Sequence, residues 1–190
     1  MILYCFICCF KNLHKISYIH SLMKFLNYPH YYIILGYKET LINPQKKILF
    51  LKCDDTYEGL PNKIIELFKF LSNSKFFKDY THFFKIDDDT NINKIMDHRK
   101  LDGDYLGTIQ DYEGKRDWHI GKCSPNSVWN KKIYNGNYVP WCKGGYGYIL
   151  SRKAINAIYE YKENYDDEIY EDLLIGKILL KSDIQPKKLN

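Results

Sequence analysis

Three adjacent carboxylates, Asp87, Asp88 and Asp89, follow directly on an apolar stretch in the segment HFFKIDDDTNIN. Ligands of open α/β sheets bind at the carboxyl ends of strands, so a site belongs at this position. Neighbouring carboxylates repel one another and are either spread into solvent or compensated by a cation, and hard oxygen ligands suit Mg²⁺ or Mn²⁺. On an extended backbone Asp87 and Asp89 share a side, where an ion could bridge a diphosphate and neutralise the charge that develops as it leaves. Taken alone, the cluster reads more readily as a chance D-x-D or a solvated turn at a strand end. A calcium loop fits poorly. Asp87, Asp89 and Asn91 match its first, third and fifth positions, but Ile92 replaces the required glycine and His98 the bidentate glutamate. No glycine stands at the required distance before the Gly-Lys pairs at 114–115, 121–122 and 176–177, and 144–147 does not complete G-x-G-x-x-G. Kinase, GTPase and dinucleotide-binding readings lose their support.

The elements that must position these residues alternate in period. Strand-like runs at 2–10, 31–35, 48–53 and 82–86 are interleaved with helix-like ones at about 13–26 and 61–72, the pattern of an α/β domain with a mostly parallel central sheet. Pro61 suits the first helical position, and Ile64, Ile65, Leu67, Phe68 and Leu71 form one apolar face. A strand at 104–109 is followed by about thirty residues rich in Gly, Asn, Pro, Lys and Trp, a loop long enough to be either functional or poorly ordered. The spacing then predicts a strand over 146–150, a helix capped by Ser151, and a last helix from about Tyr170. One domain over 1–181 and an exposed tail over 182–190 complete the expectation.

Composition narrows the class. The 190 residues are 45% apolar and 27% charged, in the range of ordinary globular chains. The formal net charge of +5 comes from scattered lysines without a dense basic tract, so no nucleic acid is expected as a partner. The run Ile2 to Phe10 is too short to span a membrane and lacks the features of a secretory signal, so it reads as a buried first strand and a cytoplasmic location is the default. Cys5 and Cys8 have C-x-x-C spacing, but no second pair follows and a strand would point them to opposite faces. Whether Cys123 and Cys142 pair is open.

The chain resembles the β-1,3-galactosyltransferase-like enzymes of glycosyltransferase family 31, which include the fringe and core-1 branches. Four blocks match in order: CDDTYEGLPNK at 53–63, with Gly59 where asparagine is usual; FFKIDDDTNIN at 83–93; WCKGGYGYILS at 141–151; and YEDLLIG at 170–176. The resemblance implies a GT-A fold and an inverting transfer of a hexose or N-acetylhexosamine from a UDP-sugar, with Mn²⁺ (or Mg²⁺), to a hydroxyl of a glycan or glycoprotein, through a β-1,3 linkage. It implies that Asp87 and Asp89 ligate the metal, that Asp88 helps hold the donor, and that Asp172 is the general base with Glu171 as its support. Asp55 and Lys63 would lie near the nucleotide, and Gly144 and Gly145 would let the backbone pass close to donor and acceptor. A base and an electrophilic metal site far apart in sequence agree with an inverting displacement, although acids in a first helical turn also serve as helix-dipole partners.

Aromatic residues of the long loop could form a sugar platform, and of Trp118, Trp129 and Trp141 the last, beside the glycine block, is the one expected to touch substrate. One departure from the family pattern matters. No histidine follows His119, so the metal-ligating histidine usual downstream is missing, and water, another group or His119 itself would have to complete the shell. The family's N-terminal anchor is not evident either, which sets the cytoplasmic default against the family's Golgi or ER lumen. A catalytically inactive module of the same fold, binding a glycan or nucleotide, is the rival expectation.

Overall fold

A computed structural model describes residues 1–189, and of His98 it describes the backbone alone. The strands are β1 (Ile2–Ile7), β2 (Tyr31–Tyr37), β3 (Leu41–Asn43), β4 (Ile48–Lys52), β5 (His82–Asp87), β6 (Tyr105–Gly107), β7 (Ile109–Gln110), β8 (Trp141–Cys142), β9 (Tyr148–Ser151) and β10 (Lys187–Lys188). The helices are α1 (Lys15–Phe25), α2 (Leu60–Asn73), α3 (Arg152–Glu160) and α4 (Glu171–Leu180). Eight strands form one sheet in the order β10-β6-β9-β5-β1-β2-β4-β3, while β7 and β8 form a separate ribbon. β9 runs antiparallel to both β5 and β6, and β3 is antiparallel to β4, so the other six strands of the sheet all point one way. This is the α/β architecture with a mostly parallel central sheet that the alternating periods predict. The carboxyl ends of β1, β2, β4 and β5 share one edge.

The run ILYCFI is buried throughout because helices cover both faces of β1. Its odd positions, Leu3, Cys5 and Ile7, join Ile64, Phe68, Ile155, Ile175 and Ile178 in the core beneath α2, α3 and α4. The even positions, Ile2, Tyr4 and Phe6, pack with Ile19 and Met23 of α1 on the other face. Each such fully buried aliphatic or aromatic side chain contributes about 1.5–3 kcal/mol.

Several expected elements end differently. β1 stops at Ile7 rather than at residue 10, and a 3-10 turn over Phe10–Asn12 leads into α1. α2 begins at Leu60, which makes Pro61 its second residue. The strand expected from Tyr146 begins only at Tyr148, because Gly144–Tyr146 is a 3-10 turn and Gly147 follows in the left-handed region at φ +76°. A Cβ on Gly147 would stand 2.6 Å from Phe84 and 2.9 Å from the Lys85 carbonyl, so both its conformation and its packing call for glycine. Ser151 caps α3 as expected, its Oγ accepting from the Ala154 N–H at 3.2 Å.

The expectation of an exposed tail over 182–190 is corrected for part of its length. Ile184 is buried in the α2–α4 core, and Lys187–Lys188 pair with β6 at the sheet edge; Asn190 lies outside the described residues. The long loop is pinned as well. β7 pairs with β8 and so closes its two ends, and a small third core of Cys123, Trp129, Tyr134, Trp141, Ile169 and Leu173 fills its interior. Among the described residues no helix is long and apolar enough to cross a membrane.

Candidate active site

Strand alternation divides the acidic cluster. Phe83, Lys85 and Asp87 point to the α4 side of β5, whereas Phe84, Ile86 and then Asp88 turn towards α1. Asp88 is held there, with Oδ1 receiving Lys15 Nζ at 2.6 Å and Oδ2 receiving Asn12 Nδ2 at 2.8 Å. The expectation that Asp87 and Asp89 share a side of an extended backbone does not describe the chain. β5 ends at Asp87, and residues 88 and 89 form a turn closed by the Thr90 N–H on the Asp87 carbonyl at 3.1 Å. Asp89 is exposed on that turn. Thr90 Oγ1 donates to the Gly145 carbonyl at 3.2 Å and so joins the acidic turn to the glycine turn.

A residue that sequence reasoning missed sits between the two acidic sites. Lys85, with none of its surface exposed, places Nζ 2.7 Å from Asp87 Oδ1, 2.7 Å from Glu171 Oε1 and 3.3 Å from the Gly144 carbonyl. Burial works against its charge, but Glu171 and Asp87 outweigh it and hold the ammonium group above the usual lysine range. The signal was present in HFFKI, a lysine inside an otherwise apolar run, which a strand tolerates in a core only when the charge is paired. Glu171 is buried too, and its Oε2 accepts from the Tyr148 hydroxyl at 2.9 Å. Burial pushes its carboxyl above the usual range; Lys85 opposes that shift, and Asp172 and Asp87 add to it.

Successive helical residues are rotated by about 100°, so while Glu171 faces the sheet, Asp172 faces away from it. Asp172 Oδ2 accepts the Gly144 N–H at 2.8 Å and the Trp141 Nε1–H at 3.2 Å, and Oδ1 accepts the Leu173 N–H at 2.9 Å. Glu171 and Asp172 are linked through Lys85 and Gly144, since Lys85 meets Glu171 and the Gly144 carbonyl while the Gly144 N–H donates to Asp172. Beside Asp172 opens a cleft of about 590 Å³ whose wall includes Trp118, Tyr138, Trp141, Tyr146 and Tyr170. Trp141 lines the cleft, and its indole N–H donates to Asp172. Trp118 is exposed with Lys122 Nζ 3.6 Å over its ring, and Trp129 is buried against His119.

The two glycines differ. A Cβ on Gly144 would lie 2.6 Å from Glu171 Oε1 and 3.2 Å from Lys85 Nζ, whereas one on Gly145 would meet nothing within 4 Å. Gly144 serves close packing of the charged network, and Gly145 borders the cleft. Asp55 and Lys63 form an ion pair at the carboxyl edge of the sheet. Asp55 also accepts the Phe10 N–H at 2.6 Å and the Gly36 N–H at 2.8 Å, and Lys63 donates to the Cys8 carbonyl at 3.1 Å. The pair ties the ends of β1, β2 and α2 together, as a frame for the loops of that edge.

The residues at hand can be tested against a divalent ion. Among the described residues no group of three or more His, Cys, Asp or Glu side chains is gathered to hold a metal. His119 is not a substitute ligand. It is buried, with Nδ1 against the Tyr170 hydroxyl at 2.9 Å and Nε2 against the Lys132 carbonyl at 2.8 Å. What remains is the second oxygen of Asp87 and the exposed carboxylate of Asp89, oxygen ligands only. That fits an ion of the Mg²⁺ or Mn²⁺ kind, which binds through one or two carboxylates and takes its other ligands from phosphate and water. All six cysteines, Cys123 and Cys142 among them, are free thiols.

The sequence profile of the family described as Galactosyltransferase matches residues 38–190. The chain belongs to that family. It is a glycosyltransferase, and the four blocks that carried the resemblance all lie within the matched span. No protein among curated sequences matches the transferase. Among solved structures it is similar to one described as a glucose-1-phosphate thymidylyltransferase from Bacillus anthracis in complex with sucrose, at 12% identity and a TM-score of 0.48, over 100% of this chain and 87% of that one.

Proposed function

We propose that the transferase moves a hexose or N-acetylhexosamine from a UDP-sugar to a hydroxyl of a glycan or glycoprotein acceptor, with inversion at the anomeric carbon and in a β-1,3 linkage. The single observation that carries this reading is the placement of Asp172. Its carboxylate is oriented by Gly144 and Trp141 at the edge of an aromatic cleft, and Lys85 and Glu171 lie between it and the acidic turn at Asp87. An aromatic wall suits the C–H face of a pyranose, so the cleft is read as the acceptor site and the turn at Asp87–Asp89 as the donor side.

In this reading the acceptor hydroxyl enters the cleft within reach of Asp172, which takes its proton as the oxygen attacks the anomeric carbon. The new C–O bond forms on the face opposite the departing UDP, and the electron pair of the broken bond leaves with the diphosphate. Trp141 holds the base through its N–H and offers its ring to the sugar. Lys15 and Asn12 fix Asp88 against α1, beside the donor side of the edge. Mn²⁺ or Mg²⁺, when bound by Asp87 and Asp89, would supply a positive charge to the diphosphate. The domain that does this is assigned to residues 1–181 together with the edge strand that follows.

Release of UDP from a panel of UDP-sugars, with Mn²⁺ and glycan acceptors, tests the proposal. One donor should be turned over, and Asp172→Asn should lower kcat by about 10²–10⁴-fold with Mn²⁺–UDP affinity nearly unchanged. Retained turnover in Asp172→Asn would remove that residue from its role, and release from no donor would favour the inactive binding module.

A further inference from the structure

We infer that Lys85 is a positioning residue of the transfer reaction. It sets Asp87 as a metal ligand and fixes the spacing between that carboxylate and the base on α4. This inference rests on the proposed function above. An ammonium group has three N–H donors, and Lys85 has three acceptors in reach, Asp87 Oδ1 and Glu171 Oε1 at 2.7 Å and the Gly144 carbonyl at 3.3 Å. Every donor is used, so the group has no freedom to swing, and its stem is held inside the sheet with none of its surface exposed. Tyr148, opposite Lys85 in the β5–β9 register, brackets the same assembly by donating to the other oxygen of Glu171 at 2.9 Å.

Two consequences follow. Asp87 is held by one oxygen, so the other oxygen is left for an ion. Glu171 is held by both oxygens, so the first turn of α4 is docked on the sheet and Asp172 is presented to the cleft. Gly144 completes the link, because its carbonyl accepts from Lys85 while its N–H donates to Asp172. A simpler role, neutralising a buried glutamate, would also place a lysine here. The two roles part when both Lys85 and Glu171 are made neutral.

The test uses Lys85→Met and the double variant Lys85→Met/Glu171→Gln. Calorimetric titration with Mn²⁺–UDP in the absence of acceptor gives affinity, and thermal melting gives stability. Lys85→Met should lose both, since it leaves the buried Glu171 carboxylate uncompensated and Asp87 without its partner. In the double variant the melting temperature should return to near the wild-type value. Its Mn²⁺–UDP affinity should remain about 10–100-fold weaker, the usual cost of removing a group that orients a metal ligand. Wild-type affinity in the melting-restored double variant would overturn the positioning role and leave the proposed function standing. Failure of the wild-type protein to bind Mn²⁺–UDP would overturn both. Should both methionine variants fail to fold, Lys85→Arg serves, because it keeps the charge and cannot place one atom between the two carboxylates. Weakened Mn²⁺–UDP binding supports the inference there, and unchanged binding overturns it.

Discussion

At the site, neighbouring side chains differ in role because of where the backbone points them. Gly144 and Gly145 are adjacent and equally small, yet only Gly144 packs against the charged network. Gly144→Ala should push Glu171 off Lys85 and destabilise the protein by about 1–3 kcal/mol, the usual cost of overpacking, measured by urea unfolding. Gly145→Ala should unfold like the wild type, since its Cβ would project into open space. Equal losses from the two would contradict the packing described for Gly144. The same logic separates Glu171 from Asp172, which a sequence presents as one acidic pair and a helix turns to different surroundings.

Elements decide how those side chains are delivered. The α3 cap shows this, because Ser151 Oγ both receives the Ala154 N–H and donates to Asp104 Oδ1 at 2.5 Å, joining α3, β9 and the approach to β6. Burial pushes the Asp104 carboxyl up, but the hydrogen bonds from Ser151 and Lys153 outweigh it and bring it below the ordinary 3.8. A depressed carboxyl contributes stability above the unfolded-state value and loses it as pH falls through the folded one. Ser151→Ala should therefore cost about 1 kcal/mol at neutral pH. The gap to wild type should narrow as the pH is taken below 3.8, where the wild type loses the same contribution. Denaturant midpoints at the two pH values check this, and a gap of constant size would remove Asp104 from the account. Element types were legible in the chain because periods of 2 and 3.6 leave different apolar patterns. Their ends were less so. β1 ends at Ile7, and just beyond it Phe10 gives its N–H to Asp55, a contact between residues 45 apart that no local pattern records.

At the scale of the whole molecule, two cores lie on either side of one sheet and a third beneath the long loop. Burial pushes the Cys142 thiol up to about 12 and the Cys5 thiol higher still. Thiolate is the reactive form, so Cys5 and Cys142 should resist a thiol reagent at pH 8 until the chain unfolds, and then react fully. Modification of either in native protein, read by mass spectrometry, would contradict the burial of β1 or of β8. Because Cys142 closes the base of the long loop and Cys5 lies at the centre of the sheet, their protection against urea also reports whether the loop and the sheet open together.

The sequence by itself determined the kind of fold, the carboxylates at the end of β5, the acids opening α4 and the capping of α3. Each depends on neighbours within a few positions or on motifs short enough to read in line. The tertiary structure alone decided that Asp87 and Asp88 part company, that His119 is held by Tyr170 and Lys132, and that Lys187 and Lys188 return to the sheet. It also decided the role of Lys85. In the sequence that residue is a stray charge in an apolar strand. Its meaning depends on Glu171, 86 positions on, because a buried charge is tolerated only beside its partner and partners are chosen by packing.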